Sequence, residues 1–582
     1  MTAYDTDVLI VGTGPTGGAA ALALATYGVR VHAVTRWNWL ANTPRAHITN
    51  QRALEVLRDL GVEQEASKYA TPWMQMGETP FATSLAGEEI ARLPSMGTGE
   101  DRLSEYTSAS PCPFMDIPQS LLEPVLVKNA AARGASFEFN TEYLRHTQDS
   151  NGVTAHFRDR RTEREYSMRA RYLIGADGGR SQIVEELGLP VEGTLARAAT
   201  AYVLFHADLS RYVEHRPSIV YWMLTPTANH GEIGMGLLRA IRPWHTWIAG
   251  WGVDVSAGEP DLAPEAVLAK IRTLVGDPEV EIDVESTSVW YVNQAHVTQY
   301  SRGRVFCGGD AVHRHPPSNG LGSNTSIQDA FNLAWKLALV VKGHAGEGLL
   351  ETYSDERAPV GEQIVARANQ SRLEYAPLRE CFRTSGQADP VAAGLARLRD
   401  PSPEGVKVRE ELVRALELKH YEYNAHGVEL NQRYTSSAVV PDPTLGAEVF
   451  DRDPELYAAV TTRPGAKLPH VWLVDRTGRR VSTLDVIGRG SFSLVTGLSG
   501  EAWARACDKL DLPYLRTVVI GAKGAEDLYC SWARIREIDE AGALLVRPDG
   551  YIAWRQPHAV RDDEDALTQL RRALSAVLDM EH

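Results

Sequence analysis

The sequence has 582 residues, too many for one hydrophobic core, so several domains are expected. Its 60 basic and 75 acidic side chains give a formal net charge of -15. Because this charge repels phosphate backbones and anionic lipid headgroups, nucleic acid and membrane surfaces are excluded as expected partners.

The cysteines and the N-terminal segment indicate the cellular compartment. The five cysteines lie far apart, without a CxxC pair and without metal-ligand spacing. The first residues, MTAYDTDVLIVG, carry neither the basic segment nor the cleavage site of a signal peptide, and no run of eighteen apolar residues occurs. We therefore expect a reduced, cytoplasmic protein.

The first predicted elements form a βαβ unit. Residues 7–11 are apolar and indicate a strand, the turn GTGPTGG follows, and an alanine-rich helix ends at Gly28 before a second strand over 29–34. The turn carries the three glycines of a GxGxxG pattern, Gly12, Gly14 and Gly17. A glycine turn that opens a helix suits the pyrophosphate of a dinucleotide.

The second strand departs from the usual dinucleotide fingerprint. An acidic residue that holds a ribose is expected about 20 positions after the glycines, but the strand ends in Thr35 and Arg36. Thr35 can still hydrogen-bond to a ribose. The NAD fingerprint is nevertheless incomplete.

Two further strands of the same design end in glycine turns. RYLIGADGG contains Asp177, and RVFCGGDA contains Asp310, whose carboxylate could accept hydrogen bonds from the polyol of a long cofactor. The amides at the start of the next predicted helix belong to Gly320, Leu321, Gly322, Ser323 and Asn324. Helix-terminal amides favour an anion, such as the edge of a reduced flavin ring. The three turns are expected to converge on one ligand.

The histidines between these features suggest a metal site as an alternative. His313 and His315 stand two residues apart in a proline-rich loop without a third ligand nearby. Packing or capping roles are therefore favoured over metal binding.

The middle and the end of the chain have different patterns. Alternating apolar residues over 183–285 predict an antiparallel sheet, and from about 440 strand and helix signals alternate as in a compact α/β module. The tryptophans in or beside the predicted sheet are Trp222, Trp244, Trp247, Trp251 and Trp290. They could wall an aromatic pocket or belong to an ordinary core.

The three glycine turns together resemble a known family. GTGPTG, GADGG and GGDAVHRHPPSNGLGSN stand in the order of the GxGxxG, DG and GD motifs of group A flavoprotein monooxygenases, which have the p-hydroxybenzoate hydroxylase fold. TPRAHITNQRALEVLRDLG and HGVELNQRY are similar to the branch that contains the dichlorophenol and hydroxybiphenyl monooxygenases. The resemblance implies non-covalent FAD, reduction by NADPH or NADH, and O2-dependent hydroxylation of a phenol ortho to its hydroxyl through a flavin C4a-hydroperoxide.

The resemblance also implies a domain plan of the α/β class. The plan has a Rossmann-type FAD-binding domain over 1–182 with an excursion near 75–105, an inserted antiparallel-sheet substrate domain over 183–285, a second FAD-binding part with a long helix over 286–380, a helical linker over 381–439, and a thioredoxin-like domain over 440–582. Because the last domain lacks CxxC, we expect it to be structural and to support a homodimer or higher homo-oligomer.

The same resemblance assigns positions around the two ligands. The cofactor positions are Gly12, Gly14, Gly17, Arg45, Gln119, Asp177, Asp310 and the loop from Gly320 to Asn324, with Thr35 and Arg36 in doubt. The substrate positions are Ile219, Trp222, Pro316 and Pro317. Ile219 stands where the hydroxybiphenyl branch has an acidic residue, so the resemblance favours an apolar substrate pocket over one with an acidic partner. The expected substrate is a chlorinated or otherwise substituted simple phenol.

Two residues are expected to act on the phenol. His47, in PRAHITNQR, matches the base of the phenol-hydroxylase branch, and Arg239 matches an arginine near the substrate, with Arg242 as a rival. A base is needed because a phenolate ring is a better nucleophile than a phenol. A polycyclic or natural-product phenol remains an alternative substrate, and a non-catalytic flavin-binding scaffold remains an alternative function.

Overall fold

The computed structural model describes residues 4–225, 228, 230–254, 256, 258 and 260–581. The first strands are β1 Thr6–Val11, β2 Val31–Val34, β3 Ile48–Thr49, β4 Glu78–Ala82, β5 Glu89–Pro94, β6 Met115–Asp116, β7 Ser136–Glu138, β8 Thr141–Gln148, β9 Val153–Asp159 and β10 Glu165–Gly175. The helices among them are α1 Pro15–Thr26, α2 Gln51–Asp59, α3 Glu63–Ser67, α4 Trp73–Met76, α5 Glu100–Ala109, α6 Gln119–Ala132 and α7 Gln182–Leu187.

The middle of the chain continues with longer strands and then with helices. Its strands are β11 Val191–His206, β12 Val220–Met223, β13 Gly236–Arg242, β14 Thr246–Val253, β15 Asp283–Val297, β16 Ser301–Arg302, β17 Val305–Cys307 and β18 His313–Arg314. Its helices are α8 Ser210–Val213, α9 Pro264–Val275, α10 Gly322–Val341, α11 Thr352–Leu373, α12 Ala376–Phe382, α13 Pro390–Arg399, α14 Pro403–Leu418, α15 His420–Tyr423 and α16 His426–Leu430.

The last part of the chain mixes short strands and helices. Its strands are β19 Trp472–Val474, β20 Arg480–Ser482, β21 Phe492–Thr496, β22 Leu515–Val519, β23 Ala543–Val546 and β24 Ile552–Gln556. Its helices are α17 Glu501–Leu510, α18 Ser531–Ile535 and α19 Asp563–Leu578.

The first sheet brings the three glycine turns together. Its strand order is β16-β17-β10-β1-β2-β7, and β1, β10 and β17 run parallel to one another. Because the carboxyl ends of parallel neighbours meet at one edge, the turns that follow these three strands lie side by side. Helix α1 is alanine-rich because it packs closely between α6 and α10, and a Cβ at Gly18 would lie only 3.3 Å from the Cβ of Leu126.

The second sheet combines two distant parts of the chain. Its order is β18-β15-β11-β14-β13-β12-β4-β5, so β4 and β5 join a sheet made mostly of residues after 190. Strands β11 and β15 pair antiparallel as far as residue 297. The domain boundary expected at 285 therefore falls inside β15, because this ribbon continues beyond the alternating pattern read from the sequence.

The tryptophans of the second sheet lie on opposite faces. Trp247 and Trp251 are buried in the cluster that contains Ile271 of α9. Trp222 is buried in another cluster, with Ile48 and Ile219. Trp247 and Trp251 thus belong to a core, and Trp222 lies on the face toward the first domain.

The C-terminal region packs directly on the first domain. Its main sheet has the order β22-β21-β23-β24, with β21 parallel to β22 and antiparallel to β23. The Phe492 ring of β21 meets the Trp335 ring of α10 edge to face, with centroids 5.7 Å apart. The thioredoxin-like assignment of this region stays a prediction. No helix in the described ranges is long and apolar enough to cross a lipid bilayer.

Candidate active site

The first glycine turn leaves its backbone open to a cleft. Gly12 has a φ of +105°, and a Cβ there would lie 2.0 Å from the Ala176 carbonyl oxygen of the second turn. A Cβ at Gly17 would lie 1.9 Å from the Gly12 carbonyl oxygen. At Gly14 the nearest atom to an added Cβ would be Glu123 Oε1, at 3.7 Å, so this position has more space. Side chains are thus excluded where the turns touch, and the start of α1 can approach a phosphate closely.

The acids of the other two turns face the same cleft edge. Asp177 accepts from the Ile183 amide at 3.2 Å through Oδ2, and its buried Oδ1 has no partner among the described residues. Burial raises the pKa of Asp177. The Asp310 side chain is exposed. Both carboxyl groups are therefore suited to accept hydrogen bonds from the hydroxyl groups of FAD.

The remaining predicted cofactor positions differ in their availability. Thr35 is buried, with its hydroxyl oxygen 3.5 Å from the Trp37 amide, while Arg36 is exposed and its guanidinium lies 5.0 Å from the Trp37 ring centroid. Gln119 donates to Glu123 at 2.6 Å, and Arg45 is exposed. Of these side chains, Arg36 and Arg45 are the freest to reach a ligand.

The loop before α10 provides fewer open amides than the sequence predicts. The Gly320 amide donates to the Pro317 carbonyl oxygen at 3.1 Å across a tight turn in which Asn319 has a φ of +65°, so this amide is not free for an anion. Helix α10 begins at Gly322 without a side-chain cap. The first-turn amides of Gly322 and Ser323 thus lack intrahelical acceptors and can face a ligand.

Asn324 fixes the position of this loop. Its Oδ1 accepts from the Asn50 amide at 3.0 Å, and its Nδ2 donates to the Ile48 carbonyl oxygen at 2.9 Å. Leu321 beside it is buried. The Asn324 side chain therefore joins the helix start to the segment that carries His47 and is not available to contact a cofactor.

A short two-stranded ribbon places an acid beside His47. Ile48 of β3 pairs with Asp116 of β6, and the Ile117 amide donates to the His47 carbonyl oxygen at 2.6 Å. The His47 Nδ1 then lies 2.6 Å from Asp116 Oδ1. From β13, Arg239 Nη2 lies 2.9 Å from His47 Nδ1 and 3.6 Å from Asp116 Oδ1. The three side chains form one cluster, here called the His47 cluster, in which His47 and Asp116 are buried and Arg239 is half-buried.

The His47 cluster has two exclusive hydrogen-bond arrangements. In one, Nδ1 carries the proton and donates to Asp116; in the other, Nδ1 accepts from Arg239 and the proton lies on Nε2. Among the described residues, Nε2 has no hydrogen-bond partner. Burial and then the Arg239 charge lower the pKa of His47, although Asp116 acts in the opposite direction. His47 is therefore neutral near pH 7 and can accept a proton at Nε2 in the first arrangement.

One face of the second sheet lies against the His47 cluster. Val220 is directly opposite Arg239, and Trp222 is opposite Leu237, so these four side chains share the face. Gly250 of β14 pairs with Leu237, and a Cβ at Gly250 would lie 2.9 Å from the Tyr202 ring. We call this surface the His47-side face, and it is largely apolar around one arginine.

The predicted substrate residues of this sheet are closely packed. Ile219 is buried, and Trp222 donates from Nε1 to the Tyr423 hydroxyl at 2.7 Å. The Tyr423 hydroxyl also lies 2.9 Å from the Tyr375 hydroxyl. The indole N–H is thus already used, and Trp222 can offer a ligand only its ring.

The proline-rich loop lies at the start of α10. Pro316 is buried, Pro317 is exposed, and His315 donates from Nδ1 to the Pro316 carbonyl oxygen at 2.7 Å. Burial, and to a smaller extent His313, lowers the pKa of His315 to about 4. His313 itself is buried against Asp329, with Nε2 and Oδ2 2.9 Å apart. Both histidines therefore have structural contacts within the protein.

The rival arginine points elsewhere. Arg242 donates to the Tyr69 carbonyl oxygen at 2.6 Å, whereas Arg239 contacts His47. Asp116 and the tyrosines at 202, 375 and 423 have no sequence signal, because their contacts join segments far apart in the chain. Asp116 is placed beside His47 by the pairing of β3 with β6, and the tyrosines are placed by the packing at the second sheet.

Comparisons with known proteins agree over the whole chain. Residues 5–368 match the family described as "FAD binding domain", and residues 461–580 match "Aromatic-ring hydroxylase, C-terminal". The chain is 48% identical over 585 residues to 2,4-dichlorophenol 6-monooxygenase of Delftia acidovorans, covering 100% of this chain and 99% of that protein. It is 44% identical over 572 residues to phenol 2-monooxygenase of Pseudomonas sp. (strain EST1001), covering 97% and 92% of the two chains.

A solved structure has the same architecture. The flavin-dependent monooxygenase PieE, in complex with FAD and substrate, superposes with a TM-score of 0.94 at 43% identity, covering 99% of this chain and 100% of that one. Aklavinone-11 hydroxylase, in a ternary complex with FAD and aklavinone, has a TM-score of 0.81 at 31% identity and covers 100% of both chains.

Proposed function

Since the chain belongs to the FAD-dependent aromatic-ring hydroxylases, we propose that its substrate is a simple phenol, hydroxylated at the carbon ortho to the hydroxyl group. The enzyme is a monooxygenase that uses FAD, NAD(P)H and O2. A chlorinated or otherwise substituted phenol is favoured because the relatives that are 48% and 44% identical act on 2,4-dichlorophenol and on phenol, as their names state.

The observation that carries this proposal is the His47 cluster. A histidine that is neutral near pH 7 stands between an acid and an arginine, beside an apolar face and next to the helix start of the cofactor cleft. A phenol has one acidic proton and an otherwise apolar ring. The cluster can accept that proton while the face contacts the ring.

The residues of the chain prepare the phenol for attack. The phenol donates its proton to His47 Nε2, and Asp116 stabilises the resulting imidazolium through its hydrogen bond to Nδ1. The phenolate left behind is electron-rich at its ortho carbons. Bound FAD, once reduced by NAD(P)H, supplies an electrophilic hydroxyl group derived from O2.

Arg239 and the apolar residues have separate tasks. The guanidinium of Arg239 lies beside His47, where its positive charge stabilises a phenolate oxygen and keeps the His47 pKa low. Trp222 and Leu237 exclude water from the ring. This keeps solvent away while an oxygen atom is transferred to the phenol. The first-turn amides of Gly322 and Ser323 would hold the anionic edge of a reduced flavin.

A panel of phenols tests the proposal. FAD-loaded enzyme is given phenol, 2,4-dichlorophenol and a polycyclic phenol, and NAD(P)H oxidation is measured together with the identity of the product. We expect the simple phenols to stimulate oxidation and to yield ortho-dihydroxylated products. Turnover of the polycyclic phenol alone would favour the natural-product alternative, and NAD(P)H oxidation that ignores every phenol would contradict the proposal.

The assembly and location are also proposed. We infer a homodimer or higher homo-oligomer, supported by three exposed apolar residues along α14, Val406, Val413 and Leu418. A cytoplasmic location is supported by the free thiols of all cysteines, four of which are buried. Sedimentation analysis of the purified enzyme tests the assembly, and a monomer at micromolar concentration would contradict it.

A further inference from the structure

A chain of buried side chains joins the C-terminal region to the cofactor cleft. Tyr551, just before β24, donates from its hydroxyl to Gln432 Oε1 at 3.2 Å. Arg357 of α11 donates to the same oxygen at 2.8 Å, and its Nε donates to Asp329 Oδ1 at 2.7 Å. All four residues are buried. The path therefore runs from the C-terminal sheet through the linker and α11 to α10.

Asp329 holds the turn that carries Asp310. Its Oδ2 accepts from the Gly309 amide at 3.0 Å and lies 2.9 Å from His313 Nε2. Gly309 has a φ of +66°, and a Cβ there would lie 2.0 Å from Thr16 Oγ1, so the turn is closely packed against α1. Because Asp310 is the next residue, the direction of its carboxyl group depends on the Asp329 contact.

Arg357 is the component that cannot easily be replaced. Its planar guanidinium contacts Asp329 through Nε, and its Nη1 contacts Gln432 and, at 2.9 Å, the Tyr434 hydroxyl. The Tyr434 ring in turn stacks on Tyr551, with centroids 4.1 Å apart. A fork with fixed geometry transmits a shift at one end to the other, whereas a lysine offers a single flexible charge.

We propose that the C-terminal region is a positioning element of the FAD site. Tyr551 and Gln432 fix the orientation of Arg357, and through Asp329 this orientation sets the turn that presents Asp310 to the cofactor. These residues are positioning residues and do not contact the reacting atoms. The inference depends on the assignment of Asp310 to FAD and is independent of which phenol is the substrate.

The test measures FAD affinity on the full-length protein. The cofactor is removed, and the dissociation constant of added FAD is measured by fluorescence titration for the parent, Tyr551→Phe and Arg357→Lys. We expect Tyr551→Phe to raise the constant about two- to tenfold, which is the range for one hydrogen bond, and Arg357→Lys to raise it further. If Arg357→Lys fails to fold, Tyr551→Phe alone decides, because it keeps the stacked ring.

Ser436→Ala is the matched control. Ser436 donates its hydroxyl to Glu356 Oε1 at 2.7 Å in the same region, but it is not on the path to Asp329. Its constant should stay within about twofold of the parent, the lower limit for one hydrogen bond. Equal losses in Ser436→Ala and Tyr551→Phe would indicate general loosening and overturn the proposal, as would an unchanged constant in Tyr551→Phe.

Asp310→Asn separates the two ways of failing. If Asp310→Asn weakens FAD binding and Tyr551→Phe does not, the positioning path is wrong while the cofactor assignment stands. If Asp310→Asn leaves the constant unchanged, the assignment of Asp310 has failed, and the path built on it falls with it.

Discussion

Two regions of this enzyme bury acids beside bases but use them differently. At the contact between α10, α11 and the C-terminal sheet, Glu356 accepts hydrogen bonds from Arg547, Lys336, Asn332 and Ser436. Burial alone would raise the pKa of Glu356, but Arg547 and Lys336 lower it well below its usual range. The carboxylate is thus fully compensated, and we call this region the Glu356 network.

The His47 cluster is incomplete by comparison. Asp116 Oδ2 is buried without a partner among the described residues, and His47 donates or accepts only through Nδ1. Burial and Arg239 lower the pKa of His47. Buried polar groups in proteins usually have hydrogen-bond partners, so these open positions are unusual. Both oxygens of Glu356 have donors within the protein, whereas the His47 cluster keeps a ring nitrogen open for a substrate proton.

Breaking the Glu356 network should have the largest effect on stability. Arg547→Met removes two hydrogen bonds to Glu356, at 2.6 and 2.8 Å, and leaves buried carboxylates with fewer donors. We expect the free energy of unfolding to fall by about 3–5 kcal/mol, measured by denaturant titration. Arg505→Ala, which removes an exposed pair with Asp563, is the control and should change little. An equal effect of both variants would contradict the contrast between the regions.

Removing the His47 imidazole, and with it Nε2, should slow the reaction without changing the fold. His47→Gln keeps a polar side chain but removes the base, so we expect the rate of ortho-hydroxylation to fall by about a hundredfold or more. FAD binding and the unfolding transition should stay close to those of the parent. Rapid-quench measurement of product formed per bound FAD provides the rate. Hydroxylation at the parent rate would remove His47 from its role.

Changing the acid behind His47 should have a smaller effect. Asp116→Asn keeps the shape and a hydrogen bond to Nδ1 but cannot stabilise an imidazolium with a negative charge. We expect the hydroxylation rate to fall about tenfold, near the low end for a lost charge-assisted hydrogen bond. Asp59→Asn is the control: the Asp59 carboxyl group, at the end of α2, accepts from the Arg489 amide at 2.8 Å and does not contact His47, so the rate should stay unchanged.

Removing the arginine should shift a pH profile. The pKa of His47 is lowered by burial and by Arg239, so the parent should lose hydroxylation only as the pH falls below 6.5 and His47 becomes protonated. In Arg239→Gln one of the lowering causes is gone. We therefore expect the acid limb of kcat/KM to move to higher pH by a fraction of a pH unit to about one. A limb that moves to lower pH would contradict this electrostatic role.

The three glycine turns of the cofactor site could be predicted from the sequence, because each turn has a local sequence signal. Each glycine turn directly follows an apolar strand, and the adjacency of β17, β10 and β1 follows from a parallel sheet. The prediction was wrong for the Gly320 amide, because this amide donates to the Pro317 carbonyl oxygen across a tight turn. A signal for this turn was present, because Pro317, Asn319 and Gly320 are residue types that favour tight turns.

The His47 cluster was only partly accessible. His47 and Arg239 came from a family resemblance, but Asp116 became visible only through a ribbon of two residues per strand, between β3 and β6. Such short pairings carry no periodicity. The extent of the second sheet was also underestimated, because β15 has many exposed positions and continues to Val297.

The most direct test of the account is the ionisation of the bound phenol. The ultraviolet spectrum of a phenol in complex with the oxidised enzyme, recorded across pH, reports when the phenolate forms. We expect the phenolate to form at lower pH in the complex than in free solution, and His47→Gln to abolish most of this difference. If the bound phenol ionises at the same pH in the parent and in His47→Gln, the His47 cluster is not the base that activates the substrate.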